Sequence, residues 1–262
     1  MSGGLTYAQR GQGAPLVFLH GIGGDAACWR PQLEAFSESN RAIAWNMPGY
    51  GGSAPLPEMT FSGLAESLLR LLDRLEVERA HVVGHSMGGM VAQEFAATWP
   101  DRLRSLVLVA TSAAFGRPDG DWQRDFLASR FGPLERGRSM ADLAPEIVAS
   151  LVGEAPDSTG VTQAIRSMAE VPEATYRAAL HCLLSFDRRD ALAQIEVPTL
   201  LLAGERDQTA AVAVMEKMAA RIPQARCLVL PRAGHLANLE QPVLFNRALG
   251  DFLAGVASEA CA

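Results

Sequence analysis

The sequence predicts an α/β fold, a doubly wound and mostly parallel sheet interrupted by one block of helices. Three observations predict it. Short apolar runs (Leu16-Val17-Phe18-Leu19, Ala42-Ile43-Ala44-Trp45, Val82-Val83, Leu106-Val107-Leu108-Val109, Leu200-Leu201-Leu202) alternate with segments of helical periodicity, the pattern of strands joined by crossover helices. These runs are apolar at nearly every position, as expected of strands covered on both faces. The alternation lapses between about residues 113 and 194, where only helical segments occur, and then resumes. The expected division is a core of residues 1–112 and 195–262 with an inserted helical lid at 113–194.

With 262 residues, of which 48% are hydrophobic and 20% charged, the chain can bury a sizeable core as a single domain with an insertion. A net charge of −6 leaves no basic stripe for nucleic acid or an anionic membrane surface, so a small-molecule substrate is the expected partner. No charged segment followed by an apolar run opens the sequence, and no stretch reaches the length of a membrane span. The cysteines (Cys28, Cys182, Cys227, Cys261) lack C-x-x-C spacing, which disfavours a zinc site or a disulfide framework. A reducing cytoplasm, with no metal, fits these features.

In chain order, Leu5–Ala8 and Leu16–His20 read as two strands joined by the turn Arg10-Gly11-Gln12-Gly13. Gly21-Ile22-Gly23-Gly24 follows, and about Ala26–Phe36 is helical. Gly21, Gly23 and Ala26 also fit G-x-G-x-x-A, the dinucleotide fingerprint, which needs an acidic residue at the end of the next strand. That strand ends in Asn46-Met47-Pro48-Gly49, so no nucleotide cofactor is expected. After a loop at 48–53, Leu64, Leu68, Leu71, Leu72 and Leu75 recur at helical spacing, with Thr60 placed as the cap. The inserted block breaks at Gly116, Pro118, Gly132-Pro133, Pro156 and Pro172. Beyond it come a strand at 197–203, a loop through Asp207, a helix at about Ala210–Arg221, a strand at 227–230 and a terminal helix from Pro242.

The stretch Gly84-His85-Ser86-Met87-Gly88 fits G-x-S-x-G, a serine on a sharp turn between strand and helix. A Cβ at Gly84 or Gly88 would crowd that turn. Ser86 then projects at a helix start, where unpaired N–H groups can stabilise an anion. Ile22, Ser86, Asp207 and His235 each fall just past a predicted strand, the edge at which open parallel sheets gather functional groups. Their chemistry is complementary. His235 takes the proton of Ser86, Asp207 orients the imidazole and offsets its charge, and the backbone N–H groups of Ile22 and Met87 bind the oxyanion. Glu205 is the alternative acid, His20 braces its loop, and His85 is expected to point away from the site.

These motifs in this order resemble the α/β-hydrolase family, whose triad runs Ser, acid, His along the chain. The resemblance covers nearly the whole sequence: His20-Gly21, the elbow at 84–88, the helical insertion, Gly204 to Asp207, and Gly234-His235 followed by Glu240-Gln241-Pro242. It implies a serine hydrolase, because dehalogenases and epoxide hydrolases of this fold carry an aspartate at the elbow. Within the serine branch, residues 171–187 and 234–240 look most like 3-oxoadipate enol-lactonases, whereas His20-Gly21 is more typical of general esterases. The expected activity is cleavage of an ester or lactone of a small organic acid. A carbon–carbon bond hydrolase, a cofactor-free perhydrolase and a ligand-binding receptor on the same fold are the alternatives. The expected pocket comprises Trp122, Phe126, Met140, Phe186 and Leu236, and any of Arg117, Arg124, Arg130, Arg136, Arg138, Arg166 and Arg177 that faced it could hold a substrate carboxylate.

Overall fold

The alternating segments build one seven-stranded sheet in the computed structural model, which describes residues 4–116 and 121–259. β1 (Tyr7–Arg10), β2 (Ala14–Leu19) and β3 (Asn40–Trp45) are followed, after helices, by β4 (Ala80–His85), β5 (Leu103–Val109), β6 (Thr199–Gly204) and β7 (Ala225–Leu230). Their spatial order is β1-β3-β2-β4-β5-β6-β7, and every pair is parallel except β1 with β3. Although β1 and β2 are neighbours in sequence, they do not pair. The more exposed β1 takes the sheet edge against β3, with Tyr7 opposite Trp45.

Strand residues divide strictly between two cores. Val17, Leu19, Ile43, Val82, Leu106, Leu108 and Leu201 face one side, while Leu16, Phe18, Ala42, Val83, Val107, Val109 and Leu202 face the other. Coverage of both faces is why these strands carry no polar alternation. The second face is closed by α1 (Arg30–Phe36), entered through a 3₁₀ turn at Ala26–Trp29, and by α10 (Pro242–Glu259). On the first face, α2 (Phe61–Arg74) buries Leu64, Leu68, Leu71 and Leu72 and is capped by Thr60, whose hydroxyl accepts from the Gly63 N–H at 3.1 Å. α3 (Met87–Thr98) packs beside it.

Between β5 and β6 lie α4 (Asp121–Glu135), α5 (Met140–Ala149), α6 (Ser158–Ala169) and α7 (Glu173–Leu183). The expected break at Gly132-Pro133 is absent. α4 runs through Pro133, close enough to its end that few backbone bonds are lost, and stops before Gly137, whose φ of 85° ends the helix. Pro156 and Pro172 do fall between helices, and Pro118 lies outside the described residues. α8 (Val212–Ala219) follows β6, and the short α9 (Ala237–Glu240) precedes α10. Among the described residues no helix is long and apolar enough to cross a membrane.

Candidate active site

β4 is buried along its whole length and delivers Ser86 at its carboxyl end. Ser86 has φ 52° and ψ −117°, a region that costs a non-glycine residue on the order of 1–3 kcal/mol. The surroundings enforce it. Ser86 N–H donates to the Val109 carbonyl at 2.9 Å, the Thr111 hydroxyl donates to the Ser86 carbonyl at 2.7 Å, and the same carbonyl receives the Gly89 and Met90 N–H groups. A Cβ on Gly84 would collide with the backbone of Gly88, and one on Gly88 with that of Leu19 and His20.

The loop after β2 lies against this turn. A Cβ on Gly21 would sit 2.9 Å from Ser86 Cβ, so only glycine lets the loop approach so closely. His20 braces it: Nδ1–H donates to the Gly21 carbonyl at 2.8 Å and Nε2 accepts from the Met47 N–H at 3.0 Å. Burial pushes the His20 pKa down to about 4, against weaker opposing effects of the Gly21 carbonyl and Asp25, which keeps the ring neutral and this bonding pattern intact. Among the described residues the Ile22 N–H donates to no protein acceptor, and Met87 opens α3, where first-turn N–H groups lack intrahelical partners.

On the other side of Ser86, His235 Nδ1 and Asp207 Oδ2 are 2.9 Å apart and both side chains are buried. The second Asp207 oxygen accepts the N–H groups of Thr209 at 2.7 Å and Ala210 at 3.0 Å. Burial alone would raise the Asp207 pKa, but hydrogen bonds and attraction from His235, with the two backbone donors, outweigh it and hold the carboxyl below its ordinary value. Glu205 instead accepts from the Arg232 N–H at the surface. Among the described residues the Ser86 hydroxyl makes no hydrogen bond, yet Ser86 and His235 line one cavity. Nucleophile and base contacts commonly tighten only when substrate is bound.

Two residues near His235 have parts that the sequence did not suggest. Burial pushes the His85 pKa down to about 3 with help from repulsion by His235. The neutral His85 ring does not point away: Nε2–H donates to the His235 carbonyl at 2.8 Å, and the two rings stand 5.0 Å apart. Glu240 is 2% exposed, and its carboxylate accepts the N–H groups of Gly234 and Leu236, each at 2.9 Å, and of Gly153 at 2.6 Å. It therefore clamps both neighbours of His235, whose own N–H donates to the Leu151 carbonyl at 2.7 Å. The signal in the sequence was the run Glu240-Gln241-Pro242 after Gly234-His235, which carried part of the family resemblance but not the clamp itself.

The cavity in front of Ser86 has a volume of about 130 Å³. Its floor includes Ile22, His85 and His235, and its roof comes from Phe126, Arg130, Ile147, Met168, Tyr176 and Leu180. Of the five expected pocket residues, Phe126 and Leu236 line it and three do not. Trp122 is 56% exposed and stacks on Phe126 from outside, Met140 is buried in the core, and Phe186 packs on Phe61 with ring centroids 4.5 Å apart. A larger groove of about 850 Å³, between the loop at 49–59 and α6 and α7, contains none of Ser86, Asp207 or His235. Among the described residues no three His, Cys, Asp or Glu side chains gather as metal ligands.

Residues 14–242 match the model of the alpha/beta hydrolase fold family, and the chain belongs to that family. It is 31% identical to a protein of Azorhizobium caulinodans provisionally classed as a carbamate hydrolase, over 95% of this chain and 94% of that one. It is 29% identical to 3-oxoadipate enol-lactonase 1 of Acinetobacter baylyi, over 92% and 89%. Among solved structures, a thermophilic esterase from Thermogutta terrifontis with malate bound superposes with a TM-score of 0.87 at 30% identity, covering 96% of this chain and 93% of that one.

Proposed function

We propose that this protein is a serine hydrolase that cleaves an ester or lactone of a small organic acid through an acyl-enzyme. The observation that carries the reading is the joint presence, around one small cavity, of a serine held in a strained turn and a buried His235–Asp207 pair. The names of the relatives, an enol-lactonase and an esterase among them, support the same chemistry. The volume supports a small acyl group, since a cavity of roughly 150 Å³ holds a benzene-sized molecule.

In this reading His235 Nε2 accepts the Ser86 proton as Oγ bonds to the carbonyl carbon. The carbonyl electron pair moves to the oxygen, where the N–H groups of Ile22 and Met87 stabilise it. Collapse expels the alkoxide, which takes the proton from His235; in a lactone the leaving oxygen stays tethered to the acyl chain. A water then repeats the sequence, losing its proton to His235 and returning Ser86 and the free acid. Asp207, kept ionised, stabilises the imidazolium in both halves. The test is hydrolysis of p-nitrophenyl acetate, ethyl butyrate and 3-oxoadipate enol-lactone by the wild type and Ser86→Ala. Turnover of at least one substrate, reduced by about three or more orders of magnitude in the variant, is expected; near-equal rates would contradict the reading.

A further inference from the structure

The hydrolase reading leaves open which acids fit, and the roof of the cavity addresses that. Of the nine arginines of the inserted segment, Arg188 is paired with Glu94 at 2.6 Å and Arg189 with Asp187 at 2.5 Å, which leaves seven that could face a substrate. Arg117 lies outside the described residues. Arg124 is paired with Asp121 at 2.8 Å, Arg138 with Glu146 at 2.7 Å and Arg177 with Glu173 at 2.8 Å. Arg136 and Arg166 are exposed and do not line the cavity.

Among the described residues Arg130 alone of these lines the cavity that holds Ser86, and it has no ion-pair partner there. Its guanidinium carbon lies 5.5 Å from the centroid of Phe126, another lining residue. Stacking on an aromatic face leaves the guanidinium edge, with its forked N–H donors, free to meet a planar carboxylate. Among the described residues no carboxylate side chain lines the cavity, and its two histidines are His85, kept neutral by burial, and His235. Among the described residues, an anion entering the site thus meets one arginine without an ion-pair partner and no lining carboxylate, Asp207 standing behind His235. Tyr176 lines the same roof and is 2% exposed, so the wall beside the cation is largely screened from solvent, where a charge-assisted pair is stronger than at a surface.

We infer that Arg130 anchors a carboxylate on the acyl part of the substrate, so that the preferred substrates are monoesters or lactones of dicarboxylic acids. The inference rests on the hydrolase reading, and its test separates the two. Monoethyl esters of succinic, glutaric and adipic acid are compared by pH-stat with ethyl butyrate, valerate and hexanoate, in the wild type, Arg130→Gln, Arg130→Lys and Arg124→Gln. The wild type is expected to favour at least one monoester over its neutral counterpart in kcat/KM. Arg130→Gln should lower that ratio by about 10- to 100-fold, chiefly through KM, as loss of a charge-assisted pair does. Arg130→Lys should keep part of the preference, because the charge survives without the fork, and Arg124→Gln should leave the ratio unchanged. Neutral esters hydrolysed as well as monoesters, or a ratio unmoved in Arg130→Gln, would overturn the anchor while leaving the hydrolase reading standing. Turnover of neither series would overturn both.

Discussion

Replacing Glu240 tests whether the backbone around His235 is held as described. Its two oxygens divide three buried donors unequally: Oε2 accepts from Gly153 and Gly234, and Oε1 accepts from Leu236. In Glu240→Gln the amide oxygen can take the place of Oε2 and keep two bonds, but the amide nitrogen then faces the Leu236 N–H. One buried donor left unsatisfied costs about 1–3 kcal/mol, and two bonds reduced from charged to neutral acceptors lose roughly 1 kcal/mol each. Part of this is returned, since burial disfavours the Glu240 charge and pushes its pKa up despite the three N–H donors. The net expectation is a loss of about 2–4 kcal/mol. Glu240→Ala orphans all three donors, about 3–9 kcal/mol against a typical total stability of 5–15, and is expected not to accumulate as folded protein. Urea unfolding followed by tryptophan fluorescence gives the difference for Glu240→Gln by linear extrapolation, and kcat should fall more than KM changes because the clamp acts through His235. A variant within about 0.5 kcal/mol of wild type, the range of ordinary surface changes, would refute the clamp.

Two further expectations follow from the buried ionisable groups. Asp207→Asn should lose most of the activity and Glu205→Gln little, because only Asp207 reaches His235 Nδ1; steady-state kinetics of both variants that ranked them in reverse would move the acid to Glu205. Burial pushes the pKa of His20 and His81 down to about 4 and that of His85 to about 3, with Arg104 adding to the effect on His81 and His235 to that on His85. Below the ordinary value of 6.5 the unfolded chain therefore binds more protons than the folded one. The stability contributed by these groups is complete above about pH 6.5 and is lost as pH falls towards 4 and then 3, by at most about 1.4 kcal/mol per pH unit for each ring. Glu240 acts with the opposite sign, adding stability below its ordinary 4.5 that is lost as pH rises through its raised value. Three rings outweigh one carboxyl, so urea midpoints measured between pH 7 and 4.5 should fall steadily; a flat series would contradict the neutral buried histidines.

What was legible in the sequence was what local sterics dictate. Gly84-x-Ser86-x-Gly88 reads as a turn because the collisions a Cβ would cause lie within a few residues or in the adjoining β2 loop, and the leucines of α2 with Thr60 specify a capped amphipathic helix by themselves. What was not legible depends on partners far along the chain. β1 passes over β2 to pair with β3 because edge placement is settled by the whole sheet. His85 turns to the His235 carbonyl, 150 residues on, and Glu240 reaches Gly153 across 87 residues. Met140 and Phe186 carry the same apolar signal as Phe126, and nothing local distinguishes a side chain that fills the core from one that lines a cavity. Arg130 stands out from its neighbours only once the pairs of Arg124, Arg138 and Arg177 are known.

In the proposed mechanism Ser86 is an activated nucleophile served by His235. Treatment with a fluorophosphonate, followed by digestion and mass spectrometry, tests it most directly, because an inert serine does not react. One covalent adduct is expected on the peptide containing Ser86, formed much more slowly in His235→Ala and absent in Ser86→Ala. A folded wild-type protein that stays unmodified, or an adduct on another residue such as Ser112 that persists in Ser86→Ala, would contradict it.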